Sequence, residues 1–94
     1  MSLAIFWTDE ATDTFDSIVS LIETKWTDKE AAEFVKHANK VITLIADQPY
    51  MYKSSISNNV RQVVITKQTS MFYEVQHEFI TILFFWDNRQ EPIF

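Results

Sequence analysis

Alternating apolar positions predict three strands in the C-terminal third of the chain. Strands are runs of about four to eight residues rich in β-branched and aromatic side chains, and Val60–Thr66, 71–76 and 79–86 each fit this pattern. A polar connection at 67–70 separates the first two strands. His77-Glu78 leaves room for only a two-residue hairpin before the last strand. The spacing therefore predicts an antiparallel meander.

The last of these strands is apolar on both faces. Because side chains alternate along a strand, its even and odd positions form two separate apolar sets: Ile80, Ile82, Phe84 and Trp86, and then Phe79, Leu83 and Phe85. Only Thr81 interrupts them. We expect such a strand to be covered on both sides, or on one side by something outside this chain.

The N-terminal half predicts a strand followed by two helices. Residues 3–7 form a short apolar run, and Thr8 with the acids after it caps a helix. The apolar residues that follow recur at steps of three and four: Ala11, Phe15, Ile18, Val19, Ile22 and Trp26. Residues 27–30 have the form of a capping box and start a second helix. Its apolar stripe is Ala31, Phe34, Val35, Ala38, Val41, Ile42 and Ile45, and Pro49 ends it.

These elements predict one α+β domain over residues 1–94, in the order β-α-α-β-β-β. Almost no loop separates the helices, so they must form an antiparallel hairpin whose apolar stripes need a sheet to cover. We expect this helical hairpin to pack on one face of a small antiparallel sheet through five residues: Phe15, Ile22, Phe34, Val41 and Ile45. A chain of 94 residues suits a single domain that buries roughly 60 to 65% of its unfolded surface.

The composition excludes several classes of function. The chain contains no glycine, so glycine-rich phosphate loops and dinucleotide fingerprints are excluded. It contains no cysteine, so disulfides and thiolate chemistry are excluded as well. An apolar run such as 82–86 is far below the roughly 20 residues of a membrane-spanning helix, and no basic residue precedes the apolar run at 3–7. We expect a cytoplasmic protein without a membrane partner.

The formal net charge of −5 is unevenly placed. Residues 1–47 hold nine acidic and four basic side chains, and residues 48–94 hold four of each. This balance argues against a nonspecific nucleic-acid binder, because Lys and Arg supply most of that affinity. A local basic patch is still allowed in the second half, which carries Lys53, Arg61, Lys67 and Arg89.

Few residues are candidates for metal binding or catalysis. His37 and His77 lack the cysteine or paired-carboxylate spacing of a metal site, so we expect no metal and no cofactor. The serines at 54, 55, 57 and 70 lie in turn-like segments, where serine is ordinary. The tryptophans at 7, 26 and 86 are typical of core or interface anchors.

The order of elements, together with several short motifs, resembles the RelE/ParE toxin superfamily of plasmid-stabilisation, type II toxin-antitoxin modules. The resemblance covers nearly the whole chain. Its motifs are Phe6-Trp7-Thr8 followed by Ala11, residues 31–35, the helix end at 44–49, Val60-Arg61-Gln62-Val63-Val64, residues 71–75, Ile80-Thr81-Ile82-Leu83 and Asp87-Asn88-Arg89-Gln90-Glu91-Pro92. It implies a small toxin held inactive by a cognate antitoxin, which lays helices or strands across the sheet and its flanks.

The superfamily divides by target. RelE-like members are ribosome-dependent ribonucleases that use basic residues on the sheet and a tyrosine or histidine near the C-terminus. ParE-like members are thought to act on DNA gyrase and lack that set. Here Arg61 and Arg89 stand where the family commonly keeps basic residues, but Ser70-Met71 offers no arginine and the tail at 93–94 no tyrosine or histidine. An arginine side chain stays protonated in proteins and is therefore a poor base.

The resemblance therefore implies a ParE-like toxin that binds a protein target such as DNA gyrase and is more a binding protein than an enzyme. One alternative is a ribosome-dependent messenger RNA endoribonuclease with a divergent site on Arg61, Arg89 and Lys53, together with Tyr73 or His77. Another is a degenerate, non-toxic module that keeps only its antitoxin-binding surface. We expect the partner-binding surface at the end of the last strand, with Arg61 as a neighbour: Trp86, Asp87 and Arg89, with Lys53 and Tyr73 as further candidates.

Overall fold

A computed structural model of the chain describes residues 2–52 and 59–88. Its elements are β1 (Ala4–Trp7), α1 (Asp9–Lys25), α2 (Asp28–Asp47), β2 (Val60–Thr66), β3 (Thr69–Val75) and β4 (Phe79–Asp87). The predicted element order and the α+β class are confirmed. Each helix begins where the sequence places a threonine cap: the hydroxyl of Thr8 accepts from the amide of Ala11 at 2.9 Å, and that of Thr27 accepts from the amide of Glu30 at 3.1 Å.

The sheet has the strand order β1-β4-β3-β2 and is mixed. Strands β2, β3 and β4 form the predicted antiparallel meander. Strand β1, however, pairs in parallel with β4, so the expectation of a wholly antiparallel sheet is wrong at this edge. Nothing in the alternation of residues 3–7 indicates which strand they join, because that pairing depends on where the helical hairpin returns the chain.

The helical hairpin packs on one face of the sheet. Phe34 and Ile45 of α2 are buried in the core, and Phe15, Ile22 and Val41 are partly buried against it. The sheet contributes alternate residues to the same core: Val63, Ile65, Met71, Tyr73, Val75, Ile80, Ile82 and Phe85. The predicted packing of the hairpin is therefore confirmed. Trp26 departs from its predicted stripe, because it is 61% exposed at the C-cap of α1.

A β-bulge in β4 overturns the predicted faces of this strand. Phe72 pairs with Phe84 while its neighbour Tyr73 pairs with Ile82, so Leu83 is an extra residue without a partner across the ladder. The extra residue shifts the alternation by one. Phe85 thus joins Ile80 and Ile82 in the core, and Phe84 turns to the other face, where its ring stacks on Phe72 at 4.7 Å.

The first turns of α1 provide hydrogen bonds to the edge of β4 beyond the end of β1. The amide of Thr8 donates to the carbonyl of Ile82 at 3.1 Å, and its hydroxyl donates to the carbonyl of Leu83 at 2.6 Å. Nearly two turns later, the hydroxyl of Thr14 accepts from the amide of Phe85 at 2.9 Å. These contacts hold the bulge in place, because they satisfy backbone groups that the ladder leaves unpaired.

The turn between β2 and β3 is shorter than predicted. Strand β3 already begins at Thr69, so Lys67 and Gln68 alone form the connection, and Ser70 is a fully buried strand residue. Ser70 pairs with Val64 on one side and with Trp86 on the other. Serine and threonine favour turns in general, but here the pairing of both neighbouring strands overrides that preference. No helix within residues 2–52 or 59–88 has the length and apolar character needed to cross a membrane.

Candidate functional site

Arg61 lies on the helix-covered side of the sheet, at the start of β2. Its guanidinium donates a hydrogen bond to the backbone carbonyl of Tyr52 and lies 5.0 Å from the ring centre of Tyr50. The Nε atom is buried and has no acceptor within the described part of the chain. These contacts attach the segment that follows α2 to the sheet. In this position Arg61 acts as a structural clamp rather than as a free cation.

Tyr73 is the cross-strand partner of Arg61 and is fully buried. Its hydroxyl donates to the backbone carbonyl of Pro49 at 3.2 Å. Burial raises the pKa of the Tyr73 phenol to about 12, while the nearby charge of Arg61 acts in the opposite direction. A buried phenol with this pKa stays protonated near neutral pH, so it serves here as a hydrogen-bond donor to the chain and not as a surface contact.

The structure separates Arg61 from Trp86. Arg61 pairs with Tyr73, whereas Trp86 pairs with Ser70, three residues earlier on β3. At about 3.3 Å per residue, this places the two side chains roughly 10 Å apart along the strand direction, and on opposite faces of the sheet. The expectation that Arg61 neighbours the end of the last strand is therefore wrong, because the register of the hairpin puts the start of β2 at the other end of the sheet.

Trp86 and Asp87 also lie on different faces. Trp86 shares the face of Ser70, and it is half-buried. Asp87 pairs with Thr69 and, together with Thr69, lines a groove between the helices and the β2-β3 turn. Consecutive strand residues alternate between faces, so these two candidates cannot belong to one patch. The candidates Lys53 and Arg89 lie outside the described residues, and His77 is exposed in the β3-β4 connection.

We use "outer face" for the side of the sheet that carries no helix, with six residues at its centre: Gln62, Val64, Ser70, Phe72, Phe84 and Trp86. Val64 is 58% exposed, Phe84 and Trp86 are half-buried, and Ser70 and Phe72 between them are buried. Towards β1 the outer face continues in an edge-to-face pair, Phe6 and Phe79, whose ring centres lie 5.4 Å apart. Apart from Glu74, the outward positions on the described strands carry no charged side chain.

A polar chain crosses the outer face, and sequence reasoning missed it. The amide of Gln62 donates to the hydroxyl of Ser70 at 3.2 Å, and that hydroxyl donates to the amide oxygen of Asn88 at 3.1 Å. The backbone amide of Asn88 in turn donates to the carbonyl of Gln68. The network fixes the end of β4 against the β2-β3 turn. The available signal was that Ser70 sits two positions before Phe72 in a strand-like run, which favours a strand position over a turn.

The comparisons with known proteins agree with this arrangement. The sequence profile of the family described as "ParE toxin of type II toxin-antitoxin system, parDE" matches residues 5–92. The chain belongs to the ParE toxin family. The match covers β1 except for Ala4, the other five elements and the outer face, so the membership applies to nearly the whole chain and not to a single motif. It confirms the resemblance to the RelE/ParE superfamily and identifies the chain as a toxin of the type II class.

Solved structures support the fold of this ParE family member. A structure of the chromosomal ParDE toxin-antitoxin system from P. aeruginosa matches with a TM-score of 0.78 and 17% identity, covering 92% of this chain and 96% of that one. The YoeB dimer from Staphylococcus aureus matches with a TM-score of 0.64 and 14% identity, covering 89% and 94%. A chain of the E. coli DinJ-YafQ toxin-antitoxin complex matches with a TM-score of 0.63 and 8% identity, covering 95% and 96%. Identities this low show the fold alone. No curated protein sequence matches the chain.

Proposed function

We propose that this ParE family member acts by binding a protein target such as DNA gyrase through its outer face, and that a cognate antitoxin neutralises it. Membership of the ParE family supports the class of target. The chains with the same fold include one from a ParDE system and one from a DinJ-YafQ toxin-antitoxin complex, which supports an antitoxin partner.

The character of the outer face is the observation that carries the proposal. Phe84, Trp86 and the exposed Val64 form an apolar surface with a tryptophan in it. Aromatic residues are enriched at the centres of protein interfaces, where charged residues are depleted. An RNA-binding surface is instead rich in Lys and Arg, which neutralise phosphates, and on this face the described strands offer neither. The surface therefore favours a protein partner.

The contacts of Arg61 and Tyr73 weigh against the ribonuclease alternative. The guanidinium of Arg61 is engaged by Tyr52 and Tyr50, and the phenol of Tyr73 by Pro49. Both groups lie on the helix side, so a substrate on the outer face could reach neither. In-line cleavage of RNA needs a positioned base and a positioned acid, and neither of these groups meets that need where it lies.

Two assays on the purified protein test the proposal. The first measures inhibition of DNA supercoiling by gyrase, and the second measures cleavage of ribosome-bound messenger RNA in a translating extract. We expect inhibition of gyrase without cleavage. Trp86→Ala should weaken the inhibition by at least about tenfold, as for an aromatic interface anchor. The matched control is Leu44→Ala, which truncates a side chain that is 44% exposed on α2.

Two results would overturn the proposal. Site-specific cleavage of messenger RNA that is lost in Arg61→Ala would establish the ribonuclease alternative. Binding to an antitoxin without any effect in either assay would establish the non-toxic module instead. Thermal unfolding of each variant shows whether a lost activity reflects a lost contact or an unfolded protein.

A further inference from the structure

A groove on the helix side of the molecule is separate from the outer face. It opens between the end of α1, the start of α2 and the β2-β3 turn, and it has a volume of about 350 Å³. Its apolar walls come from both helices and include Ile18, Leu21 and Phe34. This volume is at the lower end of the range for ligand pockets, about 300 to 1,000 Å³. The groove therefore has room for a few side chains of a partner.

Trp26 gives the groove an exposed aromatic wall. It lines the groove and is 61% exposed, although it belongs by spacing to the apolar stripe of α1. A tryptophan that remains this exposed on a helix cap contributes little to the core. Tryptophan is among the residues most enriched at binding hot spots, so its position at the mouth of an apolar groove favours a role in binding.

The charged side chains among the described residues that line the groove are all acidic. Glu30 and Glu33 lie on the first two turns of α2 at its rim, both are exposed, and Asp87 lines it from the end of β4. The described residues that line the groove include no Lys or Arg, and His37 is their only histidine. The first 47 residues, which supply both helices, carry nine acids against four bases. These carboxylates favour an occupant that is cationic where it meets the rim and apolar where it enters.

We propose that this groove binds a cationic amphipathic segment of a protein partner, which inserts apolar side chains beside Trp26 and pairs Lys or Arg with Glu30 and Glu33. A helix with apolar residues at steps of three and four, and basic residues beside them, has this chemistry. The inference is independent of the target proposed above, because it concerns the opposite side of the sheet.

A designed peptide provides the probe. It is a blocked, fluorescently labelled helix of about 15 residues, long enough to be partly helical, with leucines at helical spacing and lysines flanking them. A second peptide keeps the leucines and replaces every lysine by glutamate. A third has the lysine peptide's composition in scrambled order. Fluorescence anisotropy should show saturable binding of the first peptide to the full chain and much weaker binding of the other two.

Charge variants then locate the binding. Glu30→Gln together with Glu33→Gln should weaken binding of the lysine peptide by about five- to thirtyfold, because each rim ion pair contributes modestly to the affinity. Glutamine keeps the size of the side chain, and Glu30→Gln preserves the capping box. The control is Asp16→Asn with Glu23→Gln, which removes the same two charges from exposed positions of α1 away from the groove. It should leave the affinity within about twofold.

A second pair of variants tests the apolar wall. Trp26→Ala should weaken binding by about thirtyfold or more, while Leu44→Ala on α2 should not. If the rim double variant and the control double variant lose affinity equally, the binding reflects only the overall acidity of the chain, and the proposal is overturned. Unchanged affinity in Trp26→Ala, or equal binding of the glutamate peptide, would overturn it as well. If the groove variants inhibit gyrase as well as the wild type does, peptide binding in the groove is independent of target binding at the outer face.

Discussion

Replacing Tyr73 by phenylalanine tests the buried end of the sheet through the pH dependence of stability. The phenol is fully buried and donates to the carbonyl of Pro49. Phenylalanine keeps the ring and removes the hydroxyl, which leaves that carbonyl without its donor. Near pH 8 we expect Tyr73→Phe to lower the free energy of unfolding by about 1 to 2 kcal/mol.

At alkaline pH this difference should shrink. The pKa of the phenol is 10.0 in the unfolded chain and about 12 in the folded protein. A raised folded pKa contributes stability that is fully present below pH 10 and is lost as the pH rises towards 12. At about pH 11 the unfolded chain has released most of this proton and the folded protein has released little of it. The wild type then loses at most about 1.4 kcal/mol relative to neutral pH, less where solvent screens the site.

Urea unfolding at pH 8 and at pH 11, followed by circular dichroism, measures the free energy of unfolding of both proteins at each pH. Wild type and Tyr73→Phe should differ by about 1 kcal/mol less at the higher pH. Tyr50→Phe is the matched control, because it removes a phenol that is 68% exposed and leaves Tyr73 in place. If the two proteins differ by the same amount at both pH values, the phenol of Tyr73 is not desolvated and the account of this cluster is wrong.

Two further predictions concern the packing of the helices. Phe34→Ala should lower the free energy of unfolding by about 3 to 5 kcal/mol, because Phe34 is buried and its ring lies 5.7 Å from that of Phe15. A loss under about 1 kcal/mol in chemical denaturation would mean that Phe34 is not in the core, and Leu44→Ala is the control. Thr8→Ala should cost about 1 to 3 kcal/mol, since it removes a helix cap and the hydrogen bond to Leu83 at the bulge. Thr27→Ala removes a cap alone; an equal cost in both variants would show that Thr8 does not support β4.

The candidate surface could be predicted only in part. The sequence indicates an exposed apolar surface on the last strand, a tryptophan at its end and too few basic groups for a ribonuclease. It does not indicate which residues share a face. Arg61 and Trp86 both lie near strand ends in the sequence. Only the strand register shows that they lie on opposite faces and at opposite ends of the sheet. The groove beside Trp26 combines residues from two helices and two strands, and no spacing along the chain brings them together.

The sequence by itself determined the elements, because each rests on local physics. At the two helix starts, the side chains of Thr8 and Thr27 accept hydrogen bonds from backbone amides that would otherwise be unpaired. The apolar stripe that contains Phe34 and Ile45 sets the buried face of the hairpin. Runs rich in β-branched residues form the strands. Tertiary structure alone decided the parallel pairing of β1 with β4 and the bulge at Leu83. Both depend on contacts between residues far apart in the chain, such as the hydroxyl of Thr8 with the carbonyl of Leu83. One extra residue in a strand reverses every face after it, so Phe84 and Phe85 exchanged sides for a reason that no local pattern contains.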